Sequence, residues 1–151
     1  MVLIKQNKEK QRCVYKLSDR YRKEWTYKDE LWLSAHVDLL NKIKPNFVLA
    51  HGVKDNSMFI ETKIVPGVAA STLDHTPEFI KRIYMFCINN INQTAPYAHG
   101  DWVLSNIVVD GDNIEMIDWD NLNLYPKTIA YNKLHNDLKS AFGDKFDPTS
   151  L

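Results

Sequence analysis

Apolar positions in this chain follow two different periods, and the changes of period mark out its elements. Residues 2–4 (Val-Leu-Ile) and 13–17 (Cys-Val-Tyr-Lys-Leu) read as two strands joined by the polar stretch NKEKQ. In the second, alternation puts Cys13, Tyr15 and Leu17 on one face and Val14 and Lys16 on the other. Over residues 29–43 the period becomes helical, with Trp32, Ala35, Leu39, Leu40 and Ile43 predicted as the buried stripe. After Lys44-Pro45 the pattern returns to strands, FVLAHGV (47–53) and MFIETKIV (58–65), the second broken at Pro66-Gly67. Thr76-Pro77-Glu78 has the form of a helix start: a capping hydroxyl, a proline at the first helical position, and an acid in the first turn. Phe79, Ile80, Ile83, Phe86, Cys87 and Ile91 give that helix a wide apolar face. A last helix is predicted over 127–142, with Leu134, Leu138 and Ala141 inward and a stop at Gly143. NLNLYP (121–126) reads as irregular, and residues 144–151 as a mobile tail.

Between the last two helices lies the stretch with the most chemistry, HGDWVLSNIVVDGDNIEMIDWD (99–120). IVV (107–109) and IEMI (114–117) flank Asp110-Gly111-Asp112-Asn113, a hairpin signal because glycine tolerates the positive φ of a tight turn. A hairpin returns its ends to one another, so Asn106 and Asp118 should lie close, with Asp101 just ahead of them. An aspartate on a loop can take a proton from a hydroxyl. An amide oxygen and a second carboxylate suit a hard cation such as Mg²⁺.

HGD-x4-N followed by IDWD resembles the aminoglycoside phosphotransferase and choline kinase group, which has the protein-kinase-like fold. The resemblance implies Asp101 as catalytic base, Asn106 and Asp118 as Mg²⁺ ligands, and His99 as a residue shaping the loop. It implies ATP as phosphoryl donor and a hydroxyl-bearing acceptor. It also implies a strand lysine on the α- and β-phosphates, for which Lys16 is the candidate, and a helix glutamate to hold it. Glu30 and Glu24 are both candidates for that glutamate, Glu30 the better because it lies in the periodic part of the helix. By the same analogy the backbone of Lys63, Ile64 and Val65 would meet adenine at a hinge. The fold implied is α+β: a small N-terminal antiparallel sheet with one helix (1–65), then a short helical lobe carrying the catalytic hairpin (66–151). Asp120 is a lesser candidate beside the metal.

Composition narrows the field without adding to it. The 151 residues carry 19 basic and 19 acidic side chains, so no net field recruits nucleic acid or an anionic membrane. The two cysteines match no metal or redox spacing, which predicts a reducing, cytoplasmic setting. The five histidines lack zinc-ligand spacing. The four tryptophans have no basic stripe beside them and are read as packing residues.

Two departures from the family pattern qualify this reading. Residues 1–12 contain no glycine and leave room for one strand before RCVYKLS, so the loop that covers nucleotide phosphates is expected to be missing or reduced. The helical half is also short for an acceptor pocket. A non-catalytic pseudokinase, sensing nucleotide or binding protein, is therefore the alternative. Pairing into a homodimer could complete an undersized pocket.

Overall fold

The computed structural model describes residues 1–151, which form two compact units, Met1–Ile64 and Val65–Leu151. The first is a five-stranded antiparallel sheet with one helix. Its strands are β1 (Val2–Asn7), β2 (Arg12–Lys16), β3 (Arg20–Trp25), β4 (Val48–Lys54) and β5 (Ser57–Lys63), in the spatial order β1-β2-β3-β5-β4. Helix α1 (Glu30–Ile43) connects β3 to β4.

The pattern predicts two strands ahead of that helix, and the structure has three. The added strand is β3, RYRKEW, whose only buried side chain is Trp25. Its charges are accommodated because the sheet separates them by face. Arg20, Arg22 and Glu24 alternate onto the outer face, where Glu61 of β5 accepts from Arg20 (3.1 Å) and Arg22 (2.6 Å). Arg22 also bonds Glu24 at 2.6 Å and stacks its guanidinium 3.8 Å from the centre of the Phe59 ring. Tyr21, Lys23 and Trp25 fall on the inner face. There α1 builds a core from Leu33 and Val37 against Trp25, Met58 and Ile60.

α1 starts where Asp29 caps it, its carboxylate accepting the Trp32 N–H at 3.0 Å. Its buried stripe is rotated from the predicted one: Leu33, His36, Val37 and Leu40 are buried, while Ala35 is exposed. Trp32 remains half-buried, edge-on to Trp25 and stacked flat on His36. Trp32 therefore roofs the core instead of filling it.

The second unit is built on two helices, α2 (Pro77–Thr94) and α3 (Lys127–Phe142). α2 begins as its sequence dictates, with Thr76 Oγ1 accepting the Phe79 N–H at 3.2 Å. It buries Ile80, Ile83, Cys87 and Ile91, and α3 buries Ala130, Leu134, Leu138 and Phe142. Burial pushes the Cys87 thiol far up from its ordinary value, so it acts as a packing group. Strands β6 (Val68–Ala69), β8 (Ile107–Asp110) and β9 (Asn113–Met116) form one small antiparallel sheet. β7 (Tyr97–Ala98) and β10 (Asn123–Leu124) form another, giving part of NLNLYP a register.

Within the predicted mobile tail Phe146 is packed, while Asp147, Thr149 and Ser150 are exposed. Phe146 is 3% exposed and stands edge-on to Tyr84, whose hydroxyl lies 3.0 Å from His135 Nε2. No helix is long and apolar enough to cross a membrane.

Candidate active site

The hairpin determines the site in the second unit. Asp110 pairs with Asn113 and Ile107 with Met116, which makes Gly111-Asp112 a two-residue turn with Gly111 at φ 59°. One step beyond the last pair, the Asn106 carbonyl accepts the Ile117 N–H at 2.8 Å. Asn106 and Asp118 are thereby held at the open end of the hairpin. A one-residue slip would turn every side chain of either strand to the other face, and buried Ile107, Val109 and Met116 oppose it.

Asn106 is buried, and its amide nitrogen donates to the Asp101 carboxylate (Oδ2, 3.1 Å) and the Asp101 carbonyl (3.3 Å). The amide nitrogen thus holds Asp101, and the amide oxygen is the atom that could hold a cation. One carboxylate oxygen of Asp101 is engaged by Asn106, and the other could accept a proton. Asp118 lies in the left-handed region, φ 59° and ψ 70°, which few non-glycine residues adopt. Backbone held in that region at the mouth of a loop is the kind of local strain that collects at functional sites. An amide oxygen and a carboxylate are the hard donors that Mg²⁺ prefers, so the residues present fit that ion.

His99 is fully buried and bridges the loop to the hairpin. Nε2 lies 2.8 Å from the Ile117 carbonyl, and Nδ1 accepts the Asp101 N–H at 3.2 Å. A carbonyl can only accept and an amide N–H can only donate, which assigns the donor role to Nε2 and the acceptor role to Nδ1. Trp119 packs edge-on to the imidazole, centroids 4.7 Å apart, and its own N–H donates to the Met116 carbonyl. Gly100 has φ 86°, and a Cβ there would stand 2.8 Å from the Asn121 carbonyl oxygen and 2.9 Å from the Tyr125 hydroxyl. Only glycine fits between His99 and Asp101.

One residue of the loop's support escapes a reading of the motif. Asp137 of α3, half-buried, accepts the Trp102 N–H at 3.0 Å. Desolvation pushes its carboxyl above the ordinary range, against the Trp102 bond and Lys133, with the charge of Asp101 adding to the rise. The sequence signal is only an acid on a helix face otherwise made of Leu134 and Leu138.

In the first unit the candidates are placed differently from the expectation. Lys16 closes β2 and is exposed; the strand that leads into α1 is β3, and its lysine is Lys23. Lys23 is thus the lysine of the third strand. Glu30 is the exposed first residue of α1 and forms no ion pair with Lys16. Glu24 lies on the outer face, engaged by Arg22, which removes it as a partner for an inner-face lysine. At the proposed hinge the Lys63 N–H already donates to the Phe47 carbonyl at 3.0 Å, so it is not available to adenine. The main chain of half-buried Ile64 and Val65 follows it.

No protein-family model matches the chain, and no curated protein does. Solved structures of WbdD do. Monomeric WbdD aligns over 93% of this chain and 38% of its own, with 17% identity and a TM-score of 0.64. WbdD with the kinase inhibitor LY294002 aligns over 91% and 36%, with 16% identity and a TM-score of 0.64. A structure of the bifunctional kinase-methyltransferase WbdD aligns over 78% and 31%, with 19% identity and a TM-score of 0.55. The chain spans about a third of the WbdD chains it matches. At these identities the likeness is one of fold, and the fold is protein-kinase-like.

Proposed function

We propose that this chain is a Mg²⁺- and ATP-dependent phosphotransferase that moves the γ-phosphoryl group to a hydroxyl, of a small molecule in the manner of the aminoglycoside phosphotransferase and choline kinase group. The observation that carries this reading is the Asn106 amide donating to the Asp101 carboxylate, at the end of a hairpin that returns Asp118 beside it. In the proposed reaction Asp101 accepts the acceptor's hydroxyl proton as its oxygen bonds to the γ-phosphorus. The bond to the leaving ADP oxygen breaks, and the products are a phosphoester and ADP. Asn106 orients Asp101 through its N–H group and offers its amide oxygen to Mg²⁺ together with Asp118. The ion, when bound, neutralises charge on the phosphates. His99 keeps the Asp101 main chain in place, and Lys23 takes the phosphate contact that the sequence suggested for Lys16.

The test is transfer of label from γ-labelled ATP to a panel of hydroxyl-bearing small molecules with Mg²⁺ present. Asp101→Asn should lower transfer by roughly 10²–10⁴-fold, the usual worth of a positioned general base. Transfer that survives Asp101→Asn unchanged would contradict the assignment.

A second reading, nucleotide sensing without catalysis, is favoured by one observation: the β1–β2 turn, Lys8 to Gln11, contains no glycine. Under that reading ATP binds and no acceptor is labelled.

A further inference from the structure

The β1–β2 hairpin is present, but its turn cannot hold phosphates as a glycine-rich loop does. Asn7 pairs with Arg12, leaving the four residues Lys8, Glu9, Lys10 and Gln11. The Gln11 N–H donates to the Lys8 carbonyl at 3.2 Å, and the Lys10 N–H to the Asn7 side chain at 3.0 Å. A glycine-rich loop works by turning successive free N–H groups toward phosphate oxygens. Here two of the four are engaged within the turn.

The sheet supplies a different donor set. Residues directly opposite in an antiparallel pair share a face, and Val14 lies opposite Lys23 while Lys16 lies opposite Tyr21. Lys16 and Lys23 are therefore diagonal neighbours on the inner face, about 7–8 Å apart by sheet geometry with their Cβ atoms somewhat closer. Val14 and Tyr21 form the other diagonal. Further along the same face, Trp25, Met58 and Ile60 belong to the core that α1 covers, and none of Val14, Lys16 or Tyr21 is part of that cluster. Two ammonium groups, those of Lys16 and Lys23, thus flank a half-buried valine and tyrosine on one stretch of sheet, and exposed Lys5 of β1 lies opposite Val14 on the same face.

Resting on the kinase reading above, we infer that this chain grips the polyphosphate of its nucleotide with two lysine side chains, Lys16 on β2 joining Lys23 on β3, in place of the backbone amides of a phosphate loop. Lys16 thereby recovers a phosphate role, as a second cation and not as the lysine of the strand before the helix. Ammonium groups act as point charges and are screened by salt, whereas amides fixed in a loop act through geometry. The two kinds of grip therefore respond differently to ionic strength.

The experiment is calorimetric titration of ATP and of adenosine into the full chain at low and moderate salt, for the wild type, Lys16→Gln and Lys10→Gln. Lys10 sits in the exposed turn and serves as the charge-matched control. Lys16→Gln should weaken ATP roughly tenfold at low salt, less at moderate salt, as expected of a solvent-screened charge pair. It should leave adenosine unchanged, and Lys10→Gln should match the wild type for both. ATP binding by Lys16→Gln equal to the wild type, or an equal loss in Lys10→Gln, would overturn the inference and leave the kinase reading standing. A wild type that binds no ATP would overturn both.

Discussion

The two units handle buried and half-buried charge in opposite ways. On the outer face of the first sheet, Glu61 is held by two guanidinium groups, side chain to side chain. Its carboxyl is lowered chiefly by the hydrogen bond from Arg22. In the second unit Asp137 faces a backbone N–H, and its carboxyl is raised chiefly by desolvation. The surface network is an adjustable set of ion pairs of small net worth. The loop network is mostly side chain to main chain, with His99, Asn106 and Asp137 each holding a backbone group of residues 101, 102 or 117, and Asn106 also donating to the Asp101 carboxylate.

Breaking the backbone of the loop should have the largest effect. Gly100→Ala meets both a positive φ and two close oxygens, and should cost about 3 kcal/mol by the usual penalties for left-handed backbone and overpacking. Gly111→Ala meets a positive φ with nothing within 4 Å, and should cost about 1–2 kcal/mol. Thermal or urea unfolding of the two variants side by side checks the order; equal losses would mean that the Tyr125 and Asn121 contacts do not matter.

Asp137 separates acceptor from charge. Asp137→Ala leaves the Trp102 N–H without its partner and should cost about 1–3 kcal/mol. Asp137→Asn keeps an oxygen acceptor and should cost less. A raised carboxyl in the folded state favours folding below the unfolded value, near 3.9, and that contribution is lost as pH rises through the folded value. Replacing Asp137 with Asn should therefore remove a loss of stability between acid and neutral pH, measured as unfolding midpoint against pH.

Glu61→Gln gives the smallest change, about 0.2–1 kcal/mol, and smaller still at high salt. Its pH dependence has the other sign. The lowered carboxyl stabilises above the unfolded value, near 4.3, and the benefit is lost as pH falls through the folded value. Stability curves of Glu61→Gln and Asp137→Asn that moved in the same direction with pH would contradict the contrast drawn between the units.

What could be read from the sequence follows the same division. The hairpin, the Thr76-Pro77 helix start and the Gly143 stop are set by local chemistry, and each stands where its residues predict. Asn106, Ile117 and Asp118 converge because a two-residue turn leaves no freedom in register. RYRKEW hides as a strand because its outer-face residues are charged, satisfied only by Glu61 on a strand distant in sequence. Because that strand hides, Lys16 of β2 reads as the lysine of the strand before the helix, a place that Lys23 of β3 holds. Asp137 was invisible because its role depends on α3 reaching the loop 35 residues earlier. The rotation of α1 likewise depends on Trp32 finding Trp25.

We propose above that Asp118 and Asn106 hold Mg²⁺ for a nucleotide. Calorimetric titration of ATP with and without Mg²⁺ into the wild type and Asp118→Ala tests it most directly, since it requires no knowledge of the acceptor. The account predicts binding that Mg²⁺ strengthens in the wild type, with the Mg²⁺-dependent part lost in Asp118→Ala. Binding indifferent to Mg²⁺, or unchanged in Asp118→Ala, would contradict it.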